Sequence, residues 1–127
     1  MTAVISPGAG RRLSLPGRSA AELASGAEGG FAVTVRRVTI PPEAELAPVR
    51  GPHRHQGCEE VMIILEGTGE LVTSERTWPV GAGDVVIVSA GALHRTRNTG
   101  PGDLVSLCVF PVPDVAAVSA EMPEGSW

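Results

Sequence analysis

Lysine and tyrosine are absent from the 127 residues, and the chain holds only two phenylalanines, two tryptophans, two cysteines and three histidines. Without lysine or tyrosine, acid–base chemistry falls to carboxylates, histidines or a bound group. Two cysteines, Cys58 and Cys108, cannot build a disulfide framework and read as reduced thiols. No apolar run approaches the roughly 20 residues that a membrane-spanning helix needs. Excess positive charge is missing too: ten basic residues, all arginine, face fourteen acidic ones, for a net charge of −4. The basic footprint of a nucleic-acid binder is therefore lacking. Arg11-Arg12 is followed by Leu13-Ser14-Leu15-Pro16-Gly17-Arg18, not by the apolar stretch of an export signal, so the pair reads as surface charge. The expected location is the cytoplasm.

What is present is punctuation and β-branched residues. Sixteen glycines and eleven prolines separate short apolar runs, as turns separate strands. Residues 1–30 are weakly patterned and read as an N-terminal extension, with Ser19 placed to cap a short helix over Ala20–Ala24 that ends near Gly26. From Phe31 the run to Ile40 is β-branched and stops at Pro41-Pro42. Glu60–Glu66 predicts a strand, Gly67-Thr68-Gly69 a turn, and Glu70–Thr73 the return arm of a hairpin. Trp78, Pro79, Gly81 and Gly83 read as a loop. Val85–Ser89, His94–Asn98 and Leu104–Phe110 predict three more strands, the last stopped by Pro111 and Pro113. Asp114 opens a tail with a short helix over Val115–Ala120 and a frayed end from Glu121 to Trp127. Short strands with a turn signal every 8–12 residues indicate an all-β sandwich or closed barrel of one domain over residues 31–113. No helical period long enough for a crossover is present, which argues against a parallel sheet.

The three histidines carry the chemistry. His53 and His55 stand at i and i+2, which on a strand puts both on one face. Four residues on, Glu59 and Glu60 stand side by side, and only one of two neighbours on a strand can face inward. If Glu60 does, Met62 and Ile64 share its face. His94 opens a strand about thirty residues later. Three imidazoles and a carboxylate at strand ends can converge in a barrel mouth, a donor set suited to Fe, Mn, Ni, Co or Zn. A lone histidine on a strand is ordinarily a core or surface residue; three confined to such positions are harder to read that way. Gly67, Gly83 and Gly91 read as turn glycines, and Asn98 as a residue that satisfies backbone groups at a strand end. Arg36 and Arg37 face opposite sides of one strand, so the inward one is placed to clamp a carboxylate or to make a structural ion pair.

These residues resemble the two motifs of the cupin superfamily. His53-Arg54-His55, four spacers, Glu60, six spacers and Gly67 resemble the first motif. Gly83, five spacers, Ser89-Ala90-Gly91, two spacers, His94, three spacers and Asn98 resemble the second. The likeness covers roughly residues 31–112 and departs from the pattern at Ala47 and Ser89, which stand where turn-shaping glycine and proline are usual. It implies a double-stranded β-helix, or jelly-roll barrel, that binds one divalent metal ion through His53, His55, Glu60 and His94. It also implies a homodimer, for which Phe31–Ile40 and Leu104–Phe110 offer apolar surface.

An open coordination position on such a metal acts on substrate. The expectation is a metal-dependent enzyme acting on a small organic molecule, either a dioxygenase or a Lewis-acid cyclase, isomerase or lyase. Proton transfer would fall to Glu60 or a metal-bound water. The alternative is a barrel that binds or senses a small ligand without turnover. Met62, Ile64, Val86, Val88, Cys58 and Phe110 are the expected pocket wall, an apolar lining suited to a planar aromatic or polyketide-like substrate.

Overall fold

Buried and more exposed side chains alternate along most strands, the period of two of a pleated chain, whether the buried residue is apolar or polar. The computed structural model describes residues 2–43 and 50–127. Among the described residues, eleven strands run β1 (Arg11–Leu15), β2 (Arg18–Ala24), β3 (Thr34–Ile40), β4 (His53–His55), β5 (Glu60–Glu66), β6 (Thr68–Thr73), β7 (Thr77–Gly81), β8 (Val85–Val88), β9 (His94–Asn98), β10 (Leu104–Phe110) and β11 (Ser119–Glu121). They form two antiparallel sheets in the orders β1-β2-β3-β10-β5-β8 and β11-β4-β9-β6-β7. This is the expected all-β jelly roll. Met62, Ile64, Leu71, Val80, Val88, Leu104, Cys108 and Phe110 fill the space between the sheets. Ala47, one of the two departures from the motif pattern, lies outside the described residues.

Four expectations need correction. The segment with Ala20–Ala24 is not a helix but strand β2, paired with β1 through a tight Pro16-Gly17 turn and with β3 on its other edge. Alanine favours helix, but so few residues cannot sustain an isolated helix, while Ala20, Glu22 and Ala24 alternate inward on the sheet. Gly67 does not turn a hairpin: β5 and β6 lie in different sheets, and the chain crosses between sheets there. Gly67 holds φ at +88°, and a Cβ would meet the Asp103 carbonyl oxygen at 2.5 Å, so the close crossing needs glycine. Trp78 and Pro79 are not in a loop but in β7, the edge of the five-stranded sheet, where a strand proline is tolerated.

The tail is the fourth. Its helix is a single 3-10 turn, Val115–Val118, and residues Ser119–Glu121 then pair with β4 in the register Ser119↔His55 and Glu121↔His53. Beyond them the chain stays anchored, since the Met122 amide donates to the Pro52 carbonyl at 2.9 Å. β3 and β10 have both edges occupied by neighbouring strands, so a partner chain could meet them only through their outer face.

Candidate metal centre

Three short elements set the polar cluster. β4 directs His53 and His55 to one side, as their spacing requires, and both are buried. β9 lies beside β4 with His94 opposite His53, and the two rings stand 4.2 Å apart, centroid to centroid. The connection from β4 to β5 passes through Gly57, at φ +75°, and delivers Glu60 as the first residue of β5. Glu60, Met62 and Ile64 are buried together on the inner face. One donor atom from each of His53, His55, Glu60 and His94 lies within 4.8 Å of all the others.

The hydrogen bonds around the cluster fix which atoms face its centre. His94 Nδ1 donates to the Ala92 carbonyl at 2.9 Å, which leaves Nε2 as a lone pair, 3.0 Å from Glu60 Oε1. Ser119 Oγ donates its one proton to the Val115 carbonyl at 2.6 Å, so it accepts from His55 Nδ1 at 2.7 Å. That leaves His55 Nε2 as a second lone pair, 3.3 Å from the same carboxylate oxygen. With both imidazoles neutral, three acceptors thus converge with no proton between them. Burial alone would push the Glu60 carboxyl up; protons on His55 and His94 Nε2 pull it well below the usual range, and where those nitrogens are lone pairs a cation has to supply that stabilisation instead. Burial, then the neighbouring His94, pushes the His53 imidazole toward its neutral form. An ionised carboxylate and imidazole lone pairs aimed at one point are what a divalent cation satisfies. His53 Nδ1 and His55 Nε2 are buried without a partner among the described residues, which fits the same group. Borderline ions such as Mn, Fe, Co, Ni and Zn suit this nitrogen-and-oxygen set.

Beside the cluster lies a small cavity of about 40 Å³, whose wall includes Met62 and Phe110 together with His53, His55 and Glu60. The other expected wall residues are elsewhere. Ile64, Val86, Val88 and Cys58 pack in or against the core between the sheets and do not line this cavity. The wall is mixed: Leu15, Val38 and Ile40 join Met62 and Phe110 on its apolar side, while Arg18, Arg36, Arg50, Thr96 and Ser106 add polar groups that the expected lining did not include. Two of the three guanidiniums are neutralised, Arg18 by Glu121 at 2.6 Å and Arg36 by Glu22 at 3.0 Å. Arg36, the inward member of the Arg36/Arg37 pair, therefore makes the structural ion pair. Arg50 is different. It donates from Nη2 to the Thr96 carbonyl, and its buried Nη1 has no partner among the described residues. Burial, then repulsion from Arg18 and Arg95, pushes its guanidinium down to about 10, so it stays charged at neutral pH.

Arg50 and Ser119 were not singled out by the residue pattern. Arg50 stands three positions before His53, and a charged residue so near two ligand-type histidines was the available signal. For Ser119 the signal was absent, because nothing in the tail's composition indicates which strand it pairs with. Asn98 does serve the backbone: Nδ2 donates to the Ile40 and Gly102 carbonyls at 2.9 and 2.8 Å, and Oδ1 accepts from the Gly100 amide.

Comparison with known proteins places these features in context. A family profile described as Cupin domain matches residues 36–110, more than half of the chain. The oxalate-binding protein of Thermotoga maritima is 36% identical over 74 residues, 58% of each chain. A solved structure of a predicted oxalate decarboxylase from Thermotoga maritima superposes with a TM-score of 0.68 at 29% identity, over 87% of this chain and 99% of that one. The polyketide cyclase of Streptomyces resistomycificus superposes with a TM-score of 0.68 at 20% identity, over 87% of this chain and 79% of that one, a likeness of fold alone. Matches to curated relatives span between 36% and 58% of those proteins' own length.

Proposed function

The chain belongs to the cupin-domain family, and from that premise we propose that it holds one divalent metal ion on His53, His55, Glu60 and His94 and takes a small carboxylate anion of the oxalate class against it. The observation that carries this reading is Arg50 Nη1, a charged, buried donor without a partner among the described residues, on a side chain of the wall that also holds His53, His55 and Glu60. Leaving a buried donor unpaired costs about 1–3 kcal/mol, more for a charged group. An incoming carboxylate removes that cost and matches the planar guanidinium. Arg18 and Arg36 are already satisfied by Glu121 and Glu22, so the positive charge left over at the cavity is that of Arg50.

Size supports the same class. A cavity of about 40 Å³ is well below the ~300–1,000 Å³ of pockets that bury drug-sized ligands. It suits an anion of two or three carbons better than a polyketide, a flavonol or a catechol, which the apolar lining had favoured. The Thermotoga relatives named for oxalate binding and oxalate decarboxylation point to such an anion.

When bound, the metal would supply a Lewis-acid or redox centre that polarises a ligand oxygen. The chain's own residues do the rest. Arg50 holds and orients the carboxylate, and the ring of Phe110, packed edge-on against His55 at 4.8 Å, keeps water from that side. Glu60, expected as an acid or base, stays ionised and serves as a ligand. The cavity groups among the described residues therefore offer no strong proton donor, and turnover would be metal-centred. The homodimer expected from the family resemblance is part of this reading; a monomeric mass in light scattering at micromolar concentration overturns that part.

The test is oxalate binding to metal-loaded, metal-free and Arg50→Gln protein by calorimetry. The metal-loaded wild type is expected to bind, the metal-free protein not, and Arg50→Gln to bind about 10–100-fold more weakly with its metal retained. Equal binding by all three sinks the proposal. Formate or CO₂ release then distinguishes a lyase from a binding protein, and oxygen uptake identifies a dioxygenase.

A further inference from the structure

The C-terminal strand β11 lies outside the motif residues, yet it touches the candidate ligands directly. Opposite His55 in the β11–β4 ladder stands Ser119, whose hydroxyl accepts from His55 Nδ1 at 2.7 Å and donates to the Val115 carbonyl at 2.6 Å. The hydroxyl is thus oriented from behind by the 3-10 turn and has one role left, as acceptor. β11 is held at both ends of β4: the Gln56 amide donates to the Val118 carbonyl at 2.7 Å and the Met122 amide to the Pro52 carbonyl at 2.9 Å. The strand crosses so closely that a Cβ on Gly51 would lie 2.2 Å from the Met122 carbonyl oxygen. The approach is therefore built into both segments.

We propose that Ser119 is a positioning residue for the metal: by accepting from Nδ1 it fixes the tautomer and the ring plane of His55, so that Nε2 meets the cation. Partners of this kind tune ligand basicity and orientation, and losing one typically costs about 10–100-fold in metal affinity. Of the three imidazoles, His94 is oriented by its own loop through Ala92, while His55 depends on a residue 64 positions away. Metal affinity is therefore coupled to the docking of β11.

This inference rests on the metal reading above, and one experiment separates their failures. Zinc and cobalt affinities are measured by competition with a chromophoric chelator for wild type, Ser119→Ala and Ser119→Thr. Ser119→Ala is expected to bind about 10–100-fold more weakly and to alter the visible spectrum of bound Co²⁺; Ser119→Thr, which keeps the hydroxyl, restores both. In the zinc-loaded wild type, imidazole NMR is expected to show a slowly exchanging His55 Nδ1 proton that Ser119→Ala loses. Ser119→Ala binding within threefold of wild type, with an unchanged cobalt spectrum, overturns the role of Ser119. A wild type that binds neither metal overturns the metal reading itself. Should Ser119→Ala fold poorly, a rapidly exchanging Nδ1 proton in the zinc-loaded wild type alone contradicts the proposal.

Discussion

His94 is the most enclosed of the four clustered side chains, with 0% of its surface exposed, and it packs against His53, His55 and Glu60 at once. Replacing it by alanine removes one donor atom and leaves the Glu60 carboxylate facing a small void. His94→Ala is expected to keep the strand signature in far-UV circular dichroism while its metal content, by plasma mass spectrometry, falls at least about tenfold. Unchanged metal content would show that the ion sits elsewhere. At this scale the cluster was legible because its residue types are few: three histidines, all near strand ends, at spacings that a sheet turns into a shared face. Arg50 and Ser119 were not legible for the opposite reason. The chain has ten arginines, and which of them lacks a counter-ion is decided by carboxylates such as Glu22 and Glu121, far away in sequence.

Among the elements, β5 and β10 match the expected bounds because each is an apolar run closed by clear turn residues, and the wholly polar β9 matches because turn residues bound it on both sides, Ala90-Gly91 before and Gly100-Pro101-Gly102 after. β1, β2, β7 and β11 were missed because their strand character comes from the strands they pair with and not from their composition. β2 shows how such a strand is held. Glu22 is buried on it and receives Ser25, Arg11 and Arg36. Burial alone would raise this carboxyl, but the three donors together bring it below its ordinary value of 4.5. A lowered folded-state value means that the unfolded chain binds more protons near that pH. The stabilisation is therefore complete above about pH 4.5 and is lost as the pH falls through the folded value. Thermal melts are expected to show Glu22→Gln less stable than wild type at pH 7, with the gap closing as the pH drops below 4. A gap that is constant with pH would show that the pairing is not what stabilises β2.

For the whole molecule, two sheets close over a common core, and the candidate centre ties them together: β4 and β9 belong to one sheet, β5 to the other. A cation held by His53, His55, His94 and Glu60 is then a cross-link between sheets, and it binds only the folded state. At a free metal concentration a hundred times the Kd, such binding adds about 2.7 kcal/mol, which for a domain of this size raises Tm by on the order of 10 °C. Excess chelator is expected to remove that increment reversibly. A Tm indifferent to both metal and chelator would show that the two sheets are not joined in this way.

The placement of β11 also bears on how the protein matures. His53, His55, Glu60 and His94 are all synthesised before Ser119, so a growing chain can assemble every proposed ligand without yet having the hydroxyl proposed to turn His55 toward an ion. A nascent barrel would hold its ion loosely and exchange it freely. On the proposed reading, commitment to one ion would come with the arrival of β11, and the bound metal would be the one at hand when that last strand docks.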